Sequence, residues 1–546
     1  MAETSPGATV VGPATAAGPA TAVGPATAVG PATAPAALGA PPVVSVIDVG
    51  SSGVRMLLAE LRADGSVRVL EEVQKPVALG RETFRTGMLS AATMQKAVNV
   101  LRQFRATMDS YGVTHTRAVA TSAVRAALNR DTFVDRVFLA TGIELEVIEG
   151  SQETLLTFAA VQKALGSLPE FSQGDSLMFE LGGGATEWAL MRNGEVVASL
   201  THDFGTVRMR ELLRAESGDR RATTRLIQHN VREMMNAVKR TLPIEKINNL
   251  IAIGPEARFA ARKLGGDQEI GSVAAKDLRK LADQILSMSS DQVAAAFSVT
   301  AAEAESFAPA FLAYAELIRL SQVDRLLVPR ASMRDGLLLQ MARSIQSGST
   351  VFFPDQTIAA ALNLARKYHA DEKHGLHTAA LARQVFSATQ AQHGMGEGER
   401  LLLEVASIVH DIGVYVAARG HHRHSYYLLV NSEVFGLSKM DLEIVANVAR
   451  YHRSDGPQSD HPAYASLPRA ARLAVNRLAA ILRVADALDK GHAQRVQNPR
   501  VAVEGDELVI EVQGAEDLAL ERMTLDQKSG LFEEVFGLKP VLRETA

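Results

Sequence analysis

A chain of 546 residues exceeds what one hydrophobic core supports, so three or four folded units are expected. Apolar residues at 47% and charged residues at 22% give the balance of an ordinary globular protein, and the lack of any cysteine excludes disulfides and thiolate chemistry. A formal net charge of -4 excludes a wholly basic nucleic-acid binder, so no nucleic-acid partner is expected and any polyanion must be held by local arginines and lysines.

The N-terminus has no basic segment followed by an apolar one, so it does not read as a secretory signal, and the expected setting is the cytoplasm. No apolar run approaches the roughly 20 residues of a membrane span, so no membrane partner is expected either. Residues 12–34 hold four copies of Gly-Pro-Ala-Thr-Ala. Proline at that density blocks helix and sheet, and the small side chains offer too little apolar surface to offset ordering entropy. Residues 1–42 are therefore expected to be a disordered tail.

Folding begins at VVSVIDVG (43–50), an apolar strand ending on Asp48 and a glycine. Ser51, Ser52 and Gly53 follow, then a second strand, VRMLLAEL, a turn at Asp64-Gly65 and a third strand. The same order recurs in SLMFELGGGATEWALMRNGEVVASL, where Glu180 stands for Asp48, Gly182–Gly184 for the first loop and Asn193-Gly194 for the turn. Strands are expected over 117–121 and 143–150 and a helix over 152–163, which gives an α/β reading for two related halves, 43–172 and 173–346, enclosing a cleft. From about residue 350 the pattern turns helical, with alanine- and leucine-rich stretches from Ile358 to Ala487 interrupted by histidine-rich loops. Units are expected at 347–495 and 496–546, the last a small α/β cap with strands in VAVEGDELVIEVQ and a helix over 529–536.

Backbone N–H groups converging on a point hold phosphate well, and glycine lets the chain approach without a Cβ in the way. The loops Gly50, Ser51, Ser52, Gly53 and Gly182, Gly183, Gly184 meet that need. An acid at the preceding strand end can anchor Mg²⁺, a hard ion that prefers carboxylates, waters and phosphate oxygens, which makes Asp48 and Glu180 the candidate metal residues. Either loop alone reads more readily as a tight hairpin without a ligand; the duplication reverses that preference toward phosphate binding.

IDVGSSGVRMLL (47–58), AVATSAVRA (118–126), VIEGSQETL (147–155), the GGG hairpin, FGTVRM (204–209), MRDGLLLQM (333–341), HHRHSYYLLVNSE and ARYHR, in this order, resemble the exopolyphosphatase / guanosine pentaphosphate phosphohydrolase (Ppx/GppA) phosphatases over almost all of residues 43–546. The resemblance implies two ribonuclease-H-like halves of the actin/hsp70/sugar-kinase type, a helical third domain and a homodimer. It implies Mg²⁺-dependent removal of terminal phosphate from inorganic polyphosphate or guanosine pentaphosphate. Glu153 falls on the family's proposed general base and Arg125 on its phosphate-binding segment. Without the resemblance, Glu153 reads as an acid favoured in a helix's first turn.

Several positions depart from the family pattern. Gly50-Ser51-Ser52-Gly53 replaces G-S-N-S, Glu180 and Ala185 replace an aspartate and a serine, and Ala78 replaces an arginine, for which Arg81 could partly stand in. IGPEARFAA (253–261) replaces G-x-S-G-T, where Pro255 removes a donor and Glu256 is expected to set a negative charge near a polyanion.

Residues 374–486 resemble HD-type phosphohydrolases, on His374, His410-Asp411 in VASIVHDIG and Asp486 in LRVADALDKGH. That likeness implies a second divalent-metal site on these four residues, to which His421, His422, His424, His452 and His461 could add ligands beside Arg423, Arg450 and Arg453. Three other readings stay open: metal-dependent hydrolysis of a nucleotide phosphate at His374, His410, Asp411 and Asp486, histidines that only hydrogen-bond within an inherited scaffold, and a chain whose altered loops sense an alarmone or polyphosphate without hydrolysing it.

Overall fold

Val43–Val49 (β1) is apolar except at Ser45 and Asp48 and is buried from Val44 onward, the pattern of a strand covered on both faces. The computed structural model describes residues 41–62, 64, 66–215, 220–266, 268–348, 353–453, 456–513 and 517–545. The Gly-Pro-Ala-Thr-Ala repeats, like Gly65 of the first turn, lie outside the described residues.

β1 pairs antiparallel with Gly53–Leu61 (β2), which pairs with Val67–Pro76 (β3); on its other edge β1 runs parallel to His115–Ala120 (β4), followed by Leu145–Val147 (β5). The sheet order is β3-β2-β1-β4-β5. The second half repeats the plan. Asp175–Leu181 (β6), Thr186–Arg192 (β7) and Glu195–His202 (β8) form the antiparallel meander, and Asn249–Ile253 (β9) lies parallel to β6. Ile270–Ala274 (β10) and Arg325–Pro329 (β11) complete a six-stranded sheet, β10-β11-β9-β6-β7-β8. Asn193 and Gly194 both have positive φ, as a tight two-residue hairpin requires. The strand expected over 143–150 shortens to β5, because Gln152 Oε1 accepts from the Glu149 N–H at 3.0 Å and draws the chain into a helix two residues earlier than expected.

That helix, Gly150–Leu165, is buried nearly all round. Leu156 packs with Leu57, Val119 and Leu337 of the first half and the helix Met333–Ser347, while Phe158 and Val161 pack with Met178, Ala189 and Ile251 of the second sheet. Met333–Ser347 comes so close that a Cβ on Gly336 would lie 1.8 Å from the Leu156 carbonyl oxygen.

The helices Pro354–Lys367, Glu372–Ala388, Glu397–Val409, His421–Val430, Lys439–Arg450 and Arg469–Ala487 enclose one apolar core. Arg500–Glu504 (β12), Glu507–Gln513 (β13) and Lys539–Thr545 (β14) form a third sheet, with helices Ala519–Lys528 and Gly530–Phe536 between its last two strands. Leu508, Ile510 and Phe532 belong to the same core as Val405 and Ile481. No helix among the described residues is long and apolar enough to cross a membrane.

Gly336→Ala forces a methyl group into backbone with no flexible side chain to yield. It is expected to destabilise the protein by about 3 kcal/mol or more, seen as a lower melting midpoint; a midpoint equal to that of the parent would show that the two helices can part without loss.

Candidate functional site

Asp48 and Glu180 occupy the same place in their halves, the sixth of seven residues in β1 and β6. Strand pairing sets Asp48 opposite Arg55, whose Nη1 lies 3.2 Å from Asp48 Oδ2, and sets Glu180 opposite Glu187. Thr157 donates to Glu180 Oε2 at 2.6 Å. Burial pushes Glu180 up to about 7, against the Thr157 bond and reinforced by the negative charges of Glu153 and Asp48. Glu187 is held well above the usual carboxylate range by burial and by Glu153 and Glu180. Asp48, Glu153, Glu180 and Glu187 thus form one acidic group at the seam between the halves. Sequence reading missed Glu187, although its place directly opposite Glu180, just before the apolar run Trp188–Met191, was a usable signal.

The two glycine loops meet at this seam. A Cβ on Gly183 would lie 3.0 Å from Ser51 Cβ, and one on Gly184 would lie 2.3 Å from the Phe84 ring and 2.6 Å from Ser122 Oγ. Ser51 Oγ and Ser122 Oγ are 3.0 Å apart and buried, so Ser51 binds within the first half. Ser52 Oγ accepts from Arg55 Nη2 at 3.4 Å, and Gly50 N–H donates to the Gly53 carbonyl at 3.0 Å. Gly182 N–H donates to the Ala185 carbonyl, while the Gly182 and Gly183 carbonyls accept from Thr206 and Val207 at the start of helix Thr206–Ala215. Arg208 on that helix donates from Nε to the Gly184 carbonyl at 2.8 Å and lies over the Phe84 ring, which brings a cation to the loop.

Glu153 projects from the first turn of Gly150–Leu165, and its Oε1 lies 2.5 Å from Arg125 Nη1. The same nitrogen donates to the Ile148 carbonyl, and Arg125 Nε lies 3.9 Å from Glu149 Oε2. Burial raises Glu153, and Arg125 opposes it. Arg125, read from sequence as a phosphate residue, is therefore engaged by Glu153 in this structure.

Glu256 does not place its charge where the sequence suggested. Pro255 opens the helix Pro255–Gly265, and the Glu256 side chain is buried beside Ser306 and Tyr314 of the helix Ala301–Ser321, where burial raises its carboxyl. Two residues on, Arg258 reaches the Ala331 carbonyl at 3.4 Å and acts electrostatically on Glu180. The altered loop thus brings a cation to the acidic group and turns its own acid into the second half's core.

The four metal residues expected in the helical region also come together. His374 starts helix Glu372–Ala388, where Asp371 caps the helix by accepting from the His374 N–H, and His410 and Asp411 follow Glu397–Val409. Asp486 lies in the last turn of Arg469–Ala487. Asp486 Oδ1 is 3.5 Å from His374 Nε2 and 3.8 Å from His410 Nε2, and Asp411 Oδ2 is 3.7 Å from His410 Nε2. His421 and His452 join them, at 3.0 and 3.5 Å from Asp411 Oδ1. Among the described residues, the groups close enough to hold a metal draw in His452 and His492 but not His421, His422, His424 or His461, and His461 pairs instead with the Tyr451 hydroxyl at 2.9 Å. Arg450 lies over the Tyr426 and Tyr451 rings. Sequence reading missed Asp489, bonded to His374, and Lys528, whose Nζ pairs with Asp486 Oδ2.

Comparison with known proteins agrees with this architecture. A guanosine-5'-triphosphate,3'-diphosphate pyrophosphatase of Vibrio vulnificus is 24% identical over 490 residues, 86% of this chain and 92% of that protein. Exopolyphosphatase 1 of Mycobacterium leprae is 26% identical over 315 residues, 56% of this chain and 92% of that protein. The crystal structure of an exopolyphosphatase from Cytophaga hutchinsonii shares the two-lobed α/β fold, with a TM-score of 0.51 and 22% identity, covering 56% of this chain and all of that one. The family description "Ppx/GppA phosphatase, domain III" matches residues 357–531. The description "Ppx/GppA phosphatase family" matches residues 60–345, more than half of the chain, and the protein therefore belongs to the Ppx/GppA phosphatase family.

Proposed function

We propose that the chain hydrolyses the terminal phosphoanhydride bond of inorganic polyphosphate or guanosine pentaphosphate at the seam between its two halves. The observation that carries this reading is Glu153, anchored by Arg125 within an acidic group where both glycine loops meet. In the proposed step Glu153 takes a proton from a water whose oxygen attacks the terminal phosphorus; the bond to the bridging oxygen breaks, and the shortened phosphate departs. Arg125 is a positioning residue. It holds the Glu153 carboxyl in one orientation and favours the ionised form that a base needs. Arg208 and Arg258 supply positive charge for the substrate, and the glycines of both loops allow close approach.

A divalent cation fits the acidic group, since four carboxylates gathered in partial burial, one of them held near 7, repel one another unless countered. Asp48 and Glu180 are the residues proposed to hold Mg²⁺, which when bound would neutralise phosphate charge. The helical region 347–495 is read as an HD-type domain on the spacing of His374, His410-Asp411 and Asp486. The remaining boundaries, the homodimer and the cytoplasmic setting belong to the same proposal.

Glu153→Gln keeps the shape of the side chain and removes its basicity. Phosphate release from polyphosphate and from guanosine pentaphosphate is expected to fall roughly 100-fold or more with circular dichroism unchanged; parental rates on both substrates would refute the assignment. Glu187 gives a pH signature. Its folded-state value lies above its ordinary one, so the folded protein binds more protons than the unfolded chain and loses stability as pH rises through that interval. In chelator-containing buffer Glu187→Gln is expected to melt above the parent at neutral pH, with a gap that closes as pH falls toward the ordinary carboxylate value. A gap independent of pH would contradict this.

A further inference from the structure

A cavity of about 530 Å³ lies where the first half, the central helix Gly150–Leu165 and the helical region meet. That volume falls in the range of about 300–1,000 Å³ usual for small-molecule sites. Gln152, Leu155 and Leu156 line it from the central helix; they are three and four residues apart and share one side of it, while Glu153 and Thr157 leave another toward the seam. The walls are aliphatic. Leu402, Met440, Ile444 and Ala474 of the helical region continue them, and among the described residues no aromatic ring lines the cavity.

Its polar groups favour negative charge. The first turns of four helices open onto it, through Gln152, Glu399, Asp441 and Ala471, each the third residue of its helix. A helix N-terminus carries a partial positive charge. Gln152, Glu399 and Asp441 turn back to accept from the Glu149, Gly396 and Ser438 N–H groups at 3.0, 2.9 and 2.9 Å, so both acids are spent on capping their own helices. The fourth helix, Arg469–Ala487, opens on Pro468, whose side chain accepts nothing. Among the described residues no acceptor meets the N–H groups of Ala470 and Ala471, which line the cavity.

Arg117 of β4 is the one cation on the lining among the described residues. It donates from Nη1 to Gln340 Oε1 and from Nη2 to Glu146 at 3.1 Å, which leaves donors to spare on a guanidinium. The Glu146 pair is solvent-exposed and therefore weak. Because Gln340 accepts through its oxygen, its NH₂ group remains as a second donor beside Arg117.

We propose that this cavity binds a free aliphatic carboxylate, with the chain against Leu155, Leu156 and the apolar wall of the helical region and the head group held by Arg117 and Gln340. A carboxylate accepts strongly from a guanidinium, and an aliphatic chain gains free energy by leaving water for such walls. The ligand touches the first half, the central helix and the helical region together, so it binds the folded protein alone and stabilises it. The cavity shares no residue with the acidic group at the seam or with the histidine cluster, so it stands whether or not Glu153 is the base.

The test titrates the full-length protein by calorimetry with decanoate, kept below its micelle concentration, and with decylamine, which has the same chain and the opposite charge. The parent is expected to bind one decanoate per chain, with a raised melting midpoint, and not to bind decylamine. Arg117→Gln is expected to weaken decanoate binding about 10- to 100-fold through loss of a charge-assisted bond, and Ala474→Trp to abolish it by filling the cavity. The two ligands on the parent decide the matter even if either variant fails to fold. A parent that does not bind decanoate, decylamine that binds as tightly, or a decanoate affinity unchanged in both variants overturns the proposal.

Discussion

The helix Gly150–Leu165 is apolar on both its broad faces, and a helix of that kind is stable only inside a protein. Its burial between the two sheets joins the halves and sets the position of everything that emerges from it. Glu153 and Thr157 are four residues apart and so leave the same side of the helix. One carries the carboxylate held by Arg125, and the other hydrogen-bonds Glu180 across the seam. The seam is therefore built from the first half, the second half and the helix between them, and Gly336 preserves it by letting Met333–Ser347 approach without a side chain in the way.

Gathering like charges there has a consequence for stability. Glu153, Glu180 and Glu187 all sit above their ordinary carboxylate range, with burial the largest cause for each. The surrounding strands tolerate this because Leu177–Phe179 of β6 and Trp188–Met191 of β7 are apolar and buried, with Trp188 fully buried against Phe179. Such local conflict inside an otherwise consistent fold is the pattern expected where chemistry, rather than packing, selects residues.

Much of this was legible before any coordinates. The strand-acid-glycine order recurs in the chain, and local chemistry alone gives the hairpins that follow it. The helical region was equally readable, because His374, His410, Asp411 and Asp486 keep a recognisable spacing. What escaped depends on distant partners. Nothing near Glu256 in the sequence says that Ser306 and Tyr314 will receive it, or that Arg258 will then act on Glu180. Arg125 read as a phosphate contact because its ion pair with Glu153 is made only when β4 and the helix after β5 come together. Asp489 and Lys528 were missed for the same reason: their bonds to His374 and Asp486 form only when distant elements meet, and no spacing rule describes such pairs.

The helical region holds the second half through several direct bonds. Gln356 Oε1 accepts from the Val196 N–H at 2.7 Å, Asn363 donates to the Val197 carbonyl at 2.8 Å, and Glu433 accepts from the Thr201 N–H at 3.3 Å. Ser151, two residues before Glu153, donates to the Leu437 carbonyl at 2.7 Å. The bonding of the molecule thus divides it differently from its repeated strand plan. Although the halves repeat one strand plan, the second half, the central helix and the helical region are bonded together as one frame. The first sheet meets that frame through Leu156 and Leu337, packed on Leu57 and Val119, and through the Arg125–Glu153 pair, so strain in the helical region reaches the seam by way of one helix.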